Sequence, residues 1–120
     1  MAMLDYMGSL DAGDPAAALA LMDEGLRFLI VLPGRTVTGT SKADFENYLA
    51  GRAAPPDRVH KVLRYAVDGD VELAYGLVTE AGRTAGSFMS AARVSPEGRI
   101  LSYQSLFDPG FSLLDGEGPR

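Results

Sequence analysis

The stretch that decides the fold of this 120-residue chain is Tyr6-Met7-Gly8-Ser9-Leu10-Asp11-Ala12-Gly13-Asp14. Its apolar residues recur at helical spacing and predict an amphipathic helix that ends near Gly13. A second helix is predicted over Ala16 to Met22. Asp14 supplies its cap, proline follows at the favoured first position, and Gly25 is expected to end it.

Beyond these helices the pattern changes. Leu26 to Leu32 is strand-length and apolar, and Val37 with Thr38 is predicted to add a short second strand. Ser41 with an aspartate three residues later is typical of a capping box, so a third helix is expected from there to Gly51.

The second half of the chain reads as four strands joined by tight turns. They are predicted at Val59–Val67, Val71–Thr79, Thr84–Val94 and Ile100–Phe107. Short connections make such strands antiparallel neighbours. Helices followed by a meander indicate an α+β fold, with the helices on one face of the sheet. Gly76 and Gly86 stand inside strands, where glycine often marks a bend or a close approach.

Composition excludes several classes of function. The chain is 47% hydrophobic and 22% charged, which suits one globular domain, and its longest apolar runs are too short to span a membrane. Sixteen acidic against eleven basic residues give a net charge of −5, so neither nucleic acid nor an anionic membrane is an expected partner. With no cysteine and one histidine, no metal or cofactor is expected. No signal peptide is visible, which predicts the cytoplasm.

The stretch Tyr6 to Asp14 resembles the first-helix motif of the nuclear transport factor 2-like (NTF2-like) superfamily, which includes SnoaL-like proteins, ketosteroid isomerases and scytalone dehydratases. Pro96–Ile100, leading to Ser105–Pro109, resembles the closing strand of that superfamily. We therefore interpret 1–109 as one NTF2-like domain and 110–120 as a C-terminal tail. The resemblance implies a cone-shaped, curved antiparallel sheet wrapped around N-terminal helices, with a deep pocket and a homodimer formed through the convex face.

The resemblance also carries a chemical expectation. Ketosteroid isomerases have a tyrosine in the first helix, which Tyr6 matches. Their general base is an aspartate on the first strand, where this chain has Leu29, and their second acid lies on the penultimate strand, where it has Ser90. Neither residue can take a proton as those acids do. We therefore expect negligible activity on a 3-oxo-Δ5-steroid, and whether any reaction is catalysed stays open.

His60 is the best candidate acid or base from the residues themselves, because only histidine titrates near neutrality without a perturbed environment. The alternative is a half-exposed strand histidine, and no partner acid is identifiable in the sequence. Tyr6 could donate a hydrogen bond to a ligand, or could be a core aromatic with a solvated tip. The acids of the sheet are interpreted as solvated turn charges: Asp68, Asp70, Glu72, Glu80 and Asp108.

The favoured function is the binding of a small apolar or aromatic molecule. Its expected lining is Leu29, Tyr48, Phe88, Ser90, Tyr103 and Phe107. One alternative is an isomerase, polyketide cyclase or dehydratase that uses Tyr6 and His60. Another is a non-catalytic interaction module whose cone is filled by its own side chains. Apolar residues left for a dimer interface are drawn from Val62, Leu77, Met89 and Leu106.

Overall fold

The structure is a computed structural model that describes residues 1–52 and 57–114. Its elements are α1 (Ala2–Asp11), α2 (Pro15–Ala20), β1 (Met22–Leu32), β2 (Arg35–Gly39), α3 (Lys42–Ala50), β3 (Arg58–Asp68), β4 (Val71–Glu80), β5 (Arg83–Val94) and β6 (Ile100–Asp108). This order confirms the predicted α+β arrangement. Residues 53–56 of the expected connector and 115–120 of the expected tail lie outside the described residues. Within the described ranges, none of the helices has the length and apolarity needed to span a bilayer.

Local capping explains where the helices begin. The Asp14 side chain accepts the N–H of Ala17 at 3.1 Å and caps α2, and the Ser41 hydroxyl accepts the N–H of Asp44 at 3.0 Å and caps α3. Each bond satisfies a backbone donor that the first helical turn leaves free. Gly51 is the residue at which α3 ends, as expected.

The end of α2 differs from the expectation. The helix stops at Ala20, and Gly25 lies inside β1 instead of ending the helix. The cause is tertiary: Met22 is fully buried and pairs with Ile100, whose N–H donates to the Leu21 carbonyl at 2.8 Å. Pairing with the last strand thus converts the end of the predicted helix into strand.

The six strands form one curved sheet in the order β2-β1-β6-β5-β4-β3. The predicted meander of β3 to β6 is confirmed, and its neighbours are antiparallel. β1 and β6 run parallel, so the sheet as a whole is mixed. This parallel pair joins the first strand to the last, and therefore leaves β3 and β2 at the two edges.

Two strand glycines lie where the backbone is crowded and the register shifts. A Cβ atom on Gly76 would collide with the Lys61 carbonyl oxygen, and one on Gly86 would collide with that of Asp108. Register shifts occur next to both, in β3 after Val62 and between β4 and β5 after Val78. Bulges bend and twist a sheet, so these positions curve it around the helices.

The helices pack into the concave face of this sheet. The largest fully buried side chains of the shared core are Met3, Met22, Leu26, Phe45 and Ile100. Burying such side chains stabilises the fold by about 1.5–3 kcal/mol each. Because α2 adds the fully buried Ala18 to this core, all three helices are packed against the sheet.

The expectation for Glu72 was wrong. Its side chain is buried, and it accepts the N–H of Met3 at 3.0 Å. Met1 gives α1 no side-chain cap, so a carboxylate from β4 satisfies a free donor at the start of that helix. Glu80 is also paired, with Arg58, while Asp70 forms an exposed pair with Arg93.

The convex outer face of the sheet is partly covered by residues 111–114, which follow β6. The Ser87 hydroxyl donates to the Phe111 carbonyl, and the Leu113 N–H donates to the Tyr75 hydroxyl. Leu77, the register partner of Ser87, is 3% exposed beside this segment. Of the four apolar residues expected on this face, Met89 and Leu106 are exposed, Leu77 is buried and Val62 packs against the core.

Candidate functional site

A cavity of about 400 Å³ lies between the helices and the concave face of the sheet. Five residues that the sequence proposed as lining or catalytic aromatics reach it: Tyr6, Tyr48, Phe88, Tyr103 and Phe107. The cone interior therefore presents several aromatic rings to whatever enters it, beside aliphatic and polar side chains.

Leu29 does not line this cavity. Its neighbours Phe28 and Ile30 point into the core and are 5% and 6% exposed, and strand alternation turns Leu29 to the other face. The residue that the resemblance matched to an isomerase's base is thus apolar and points away from the cavity.

Ser90, which was also expected in the lining, is buried and is not among the residues that line the cavity. Its hydroxyl oxygen is 2.8 Å from that of Ser105 and 3.3 Å from that of Tyr103. Tyr103, which was expected in the lining, and Ser105, which the expected lining did not include, both line the cavity. Ser90 can therefore orient the Tyr103 hydroxyl through this network.

His60 faces the cavity and has the partner acid that sequence reasoning missed. Its ring Nδ1 lies 2.7 Å from one carboxylate oxygen of Asp11, and its backbone N–H donates to the other at 2.9 Å. One carboxylate thus fixes both the imidazole and the edge strand that carries it. The His60 ring also packs edge-on against Phe88, with centroids 5.2 Å apart.

The Asp11 contact determines which ring nitrogen can act. A carboxylate at Nδ1 holds the proton there, and the lone pair of the neutral ring is then on Nε2. Among the described residues, none is hydrogen-bonded to Nε2. Asp11 ends α1 and belongs to the stretch that predicts the fold, but 49 residues separate it from His60. The sequence signal that could have pointed to Asp11 was an acidic residue at the end of an amphipathic helix.

Two buried phenols lie side by side in the same cavity. The rings of Tyr6 and Tyr103 meet edge to face, with centroids 5.4 Å apart. Burial, reinforced by the neighbouring Tyr103, raises the pKa of Tyr6 well above its usual value. Burial also raises the pKa of Tyr103, against the opposing effect of its hydrogen bonds to Ser105 and Ser90. Both hydroxyls therefore stay protonated at neutral pH and can donate hydrogen bonds.

Three arginines also line the cavity, and sequence reasoning proposed none of them: Arg35, Arg52 and Arg58. Arg58 is held by Glu80 through two bonds of 2.6 and 2.9 Å, with its guanidinium carbon 6.0 Å from the centre of the Phe107 ring. Across residues 1–52 and 57–114, no group of three or more aspartate, glutamate or histidine side chains is placed to hold a metal ion.

No sequence profile of a known family and no curated protein matches the chain. Several solved structures are similar to the structure of this chain. A candidate ketosteroid isomerase from Kribbella flavida has a TM-score of 0.72 at 17% identity, with 96% of this chain and 81% of that one covered. A candidate isomerase of the SnoaL-like family from Agrobacterium tumefaciens has a TM-score of 0.70 at 13% identity, with 89% and 94% covered.

A third similar structure is TerC co-crystallised with polyporic acid, with a TM-score of 0.71, 19% identity, and 89% of this chain and 88% of that one covered. At such identities the likeness establishes the fold and leaves the activity open. Helix order, the mixed curved sheet and these structural neighbours together show that the chain has the fold of the NTF2-like superfamily, as SnoaL-like and ketosteroid isomerase-like proteins do.

Proposed function

We propose that the cone cavity binds a small, largely aromatic molecule and that His60, held by Asp11, moves a proton on it. The observation that carries this proposal is the 2.7 Å contact between the His60 ring and the Asp11 carboxylate on the cavity wall. A histidine kept in one tautomer by a carboxylate can act as a general base, because the free ring nitrogen is available to take a proton. This favours the enzyme alternative over a passive binder.

The groups present suit proton transfer next to a carbonyl. Nε2 of His60 would remove a proton from the carbon beside a ligand carbonyl, and Asp11 would stabilise the imidazolium that forms. The resulting enolate oxygen would accept hydrogen bonds from Tyr6 and Tyr103. Return of the proton to another carbon isomerises the ligand. Delivery of it to a departing hydroxyl releases water.

The shape and lining of the cavity support an aromatic ligand. Tyr48, Phe88 and Phe107 offer ring faces and edges, and small-molecule sites are typically apolar with a few polar groups that fix orientation. The co-crystal of TerC with polyporic acid shows a small molecule with a protein of this fold. The absence of both isomerase acids still argues against 3-oxo-Δ5-steroids as substrates.

Exchange of the α-protons of 2-tetralone in D₂O, followed by proton NMR, tests the chemistry without a known substrate. We expect the wild-type protein to accelerate exchange and His60→Gln to lower the gain about 100-fold or more. Asp11→Asn should also lose most of the gain, because it no longer favours the required tautomer. Asp5→Asn, an exposed acid of the same helix, is the control. Binding without exchange would favour a non-catalytic binder.

We also propose that the outer face pairs with a second copy. Leu73, Met89 and Leu106 are 43%, 53% and 40% exposed, and they line a shallow concavity of about 720 Å³. A two-fold sheet-on-sheet contact would bury this patch. Light scattering should report a dimer at micromolar concentration and a folded monomer for Met89→Lys with Leu106→Lys. A wild-type monomer would refute the pairing.

A cytoplasmic location stays a prediction, testable by imaging a tagged chain.

A further inference from the structure

We propose that the ligand is an aromatic organic anion, a carboxylate or an acidic phenol, whose charged group is recognised by the arginines of the cavity. This inference rests on the proposed function, since it assumes that the cavity binds a small molecule. It adds the charge of that molecule, which neither the fold nor the His60–Asp11 pair determines.

The lining of the cavity carries positive charge, whereas the chain as a whole carries a net negative charge. The protein has sixteen acidic and eleven basic residues, yet three arginines and no aspartate or glutamate line the cavity within the described ranges. Two acids pair with residues of the lining, Asp11 with His60 and Glu80 with Arg58. The remaining positive charge favours a ligand with a negatively charged group.

Arg52 is the arginine best placed to act on a ligand. It is half-buried just beyond α3, and among the described residues no carboxylate forms an ion pair with it. Its positive charge also acts on the inner phenols, since it opposes the rise in pKa of both Tyr6 and Tyr103. The guanidinium field therefore extends into the cavity that the ligand would occupy.

The other two arginines have different roles. Glu80 holds Arg58 beside the Phe107 ring, which fixes its direction but offsets part of its charge. Arg35 is exposed on β2 and brings a third guanidinium to the same cavity from another element. Planar guanidinium groups bind carboxylates through paired hydrogen bonds, and aromatic rings beside them accommodate the rest of an aromatic acid.

Two fluorescent probes that differ only by a charged group test the inference: 8-anilinonaphthalene-1-sulfonate and its neutral parent, N-phenyl-1-naphthylamine. We expect Arg52→Gln to weaken sulfonate binding about five- to tenfold and to leave the parent within twofold. Arg35→Gln should weaken the sulfonate in the same sense, which keeps the test available if Arg52→Gln fails to fold. Arg99→Gln, an exposed arginine outside the cavity, is the matched control. Raising the salt concentration should weaken the sulfonate only.

Amide chemical-shift mapping then locates each probe. Shifts at His60 and Leu32 place it in the cavity, and shifts at Met89 and Leu106 place it on the outer face. If neither probe shifts the cavity amides, the proposed binding function fails as well. Suppose that the neutral parent binds in the cavity. If Arg52→Gln and Arg35→Gln then weaken both probes equally, or weaken the sulfonate no more than Arg99→Gln does, the proposal of an anionic ligand is overturned. The proposal that the cavity binds a small molecule is unaffected by that result.

Discussion

At the scale of single residues, the Tyr65 hydroxyl is buried near the Glu72 carboxylate, yet within the described structure no atom meets the geometry of a hydrogen bond to it. An unsatisfied buried hydroxyl costs about 1–3 kcal/mol, so Tyr65→Phe should raise the free energy of unfolding by about 1 kcal/mol. Tyr75→Phe is the matched control, because its hydroxyl accepts the Leu113 N–H and its loss should destabilise. Urea unfolding at pH 7 measures both. Equal losses in the two variants would show that Tyr65 has a partner.

The buried phenols also predict how stability changes at high pH. Burial, and then the neighbouring Glu72 carboxylate, raise the pKa of Tyr65 to about 12, and Tyr6 and Tyr103 are raised as well. Unfolded tyrosines ionise near pH 10, so above that pH the unfolded chain has released protons that the folded chain still holds. The stability that the shifted pKa values of these phenols add to the folded state is therefore complete below pH 10. It is lost as pH rises from 10 towards 12.

Urea midpoints measured from pH 8 to 11.5 test this sign. The wild-type midpoint should fall above pH 10, and the fall should be shallower in Tyr65→Phe, which has one shifted phenol fewer. A wild-type midpoint that stays level to pH 11.5 would contradict the assignment.

At the scale of an element, Gly76 lets β3 and β4 approach where the sheet bends. An added Cβ would collide with the Lys61 carbonyl oxygen and lie 2.9 Å from a Phe88 ring carbon. Backbone cannot move aside cheaply, so Gly76→Ala should cost about 3 kcal/mol or more. Gly8→Ala is the control: it lies inside α1 with no atom within 4 Å of the new Cβ, and should gain about 1 kcal/mol. Thermal unfolding distinguishes the two, and similar melting temperatures would refute the crowding.

At the scale of the whole molecule, residues 111–114 are hydrogen-bonded to the outer face of the sheet. Truncation after Pro109 removes the bonds to Ser87 and Tyr75 and should expose Leu77, at a cost of about 1–3 kcal/mol. Replacing the exposed Phe111 and Leu113 by serine keeps those backbone bonds and should change stability by less than about 0.5 kcal/mol. Chemical unfolding of both variants checks this. A truncated chain as stable as the full one would show that the segment does not cover Leu77.

The sequence by itself determined the order of the elements and the antiparallel meander. Those features follow from apolar periodicity, helix caps and tight turns, which act between residues close together in the chain. Through its resemblance to the NTF2-like superfamily, it also predicted Leu29 and Ser90, which cannot act as acids, at the positions of the isomerase acids.

Only the tertiary structure decided the rest. The parallel pairing of β1 with β6 shortened α2, and the fold brought Asp11 to His60 and three arginines to one cavity. These contacts join residues far apart in sequence. Their geometry depends on how far the sheet curves and on how α1 and α3 pack into it. The strand glycines indicate where the sheet bends, but no short-range pattern fixes the extent of the bend or the packing of the helices.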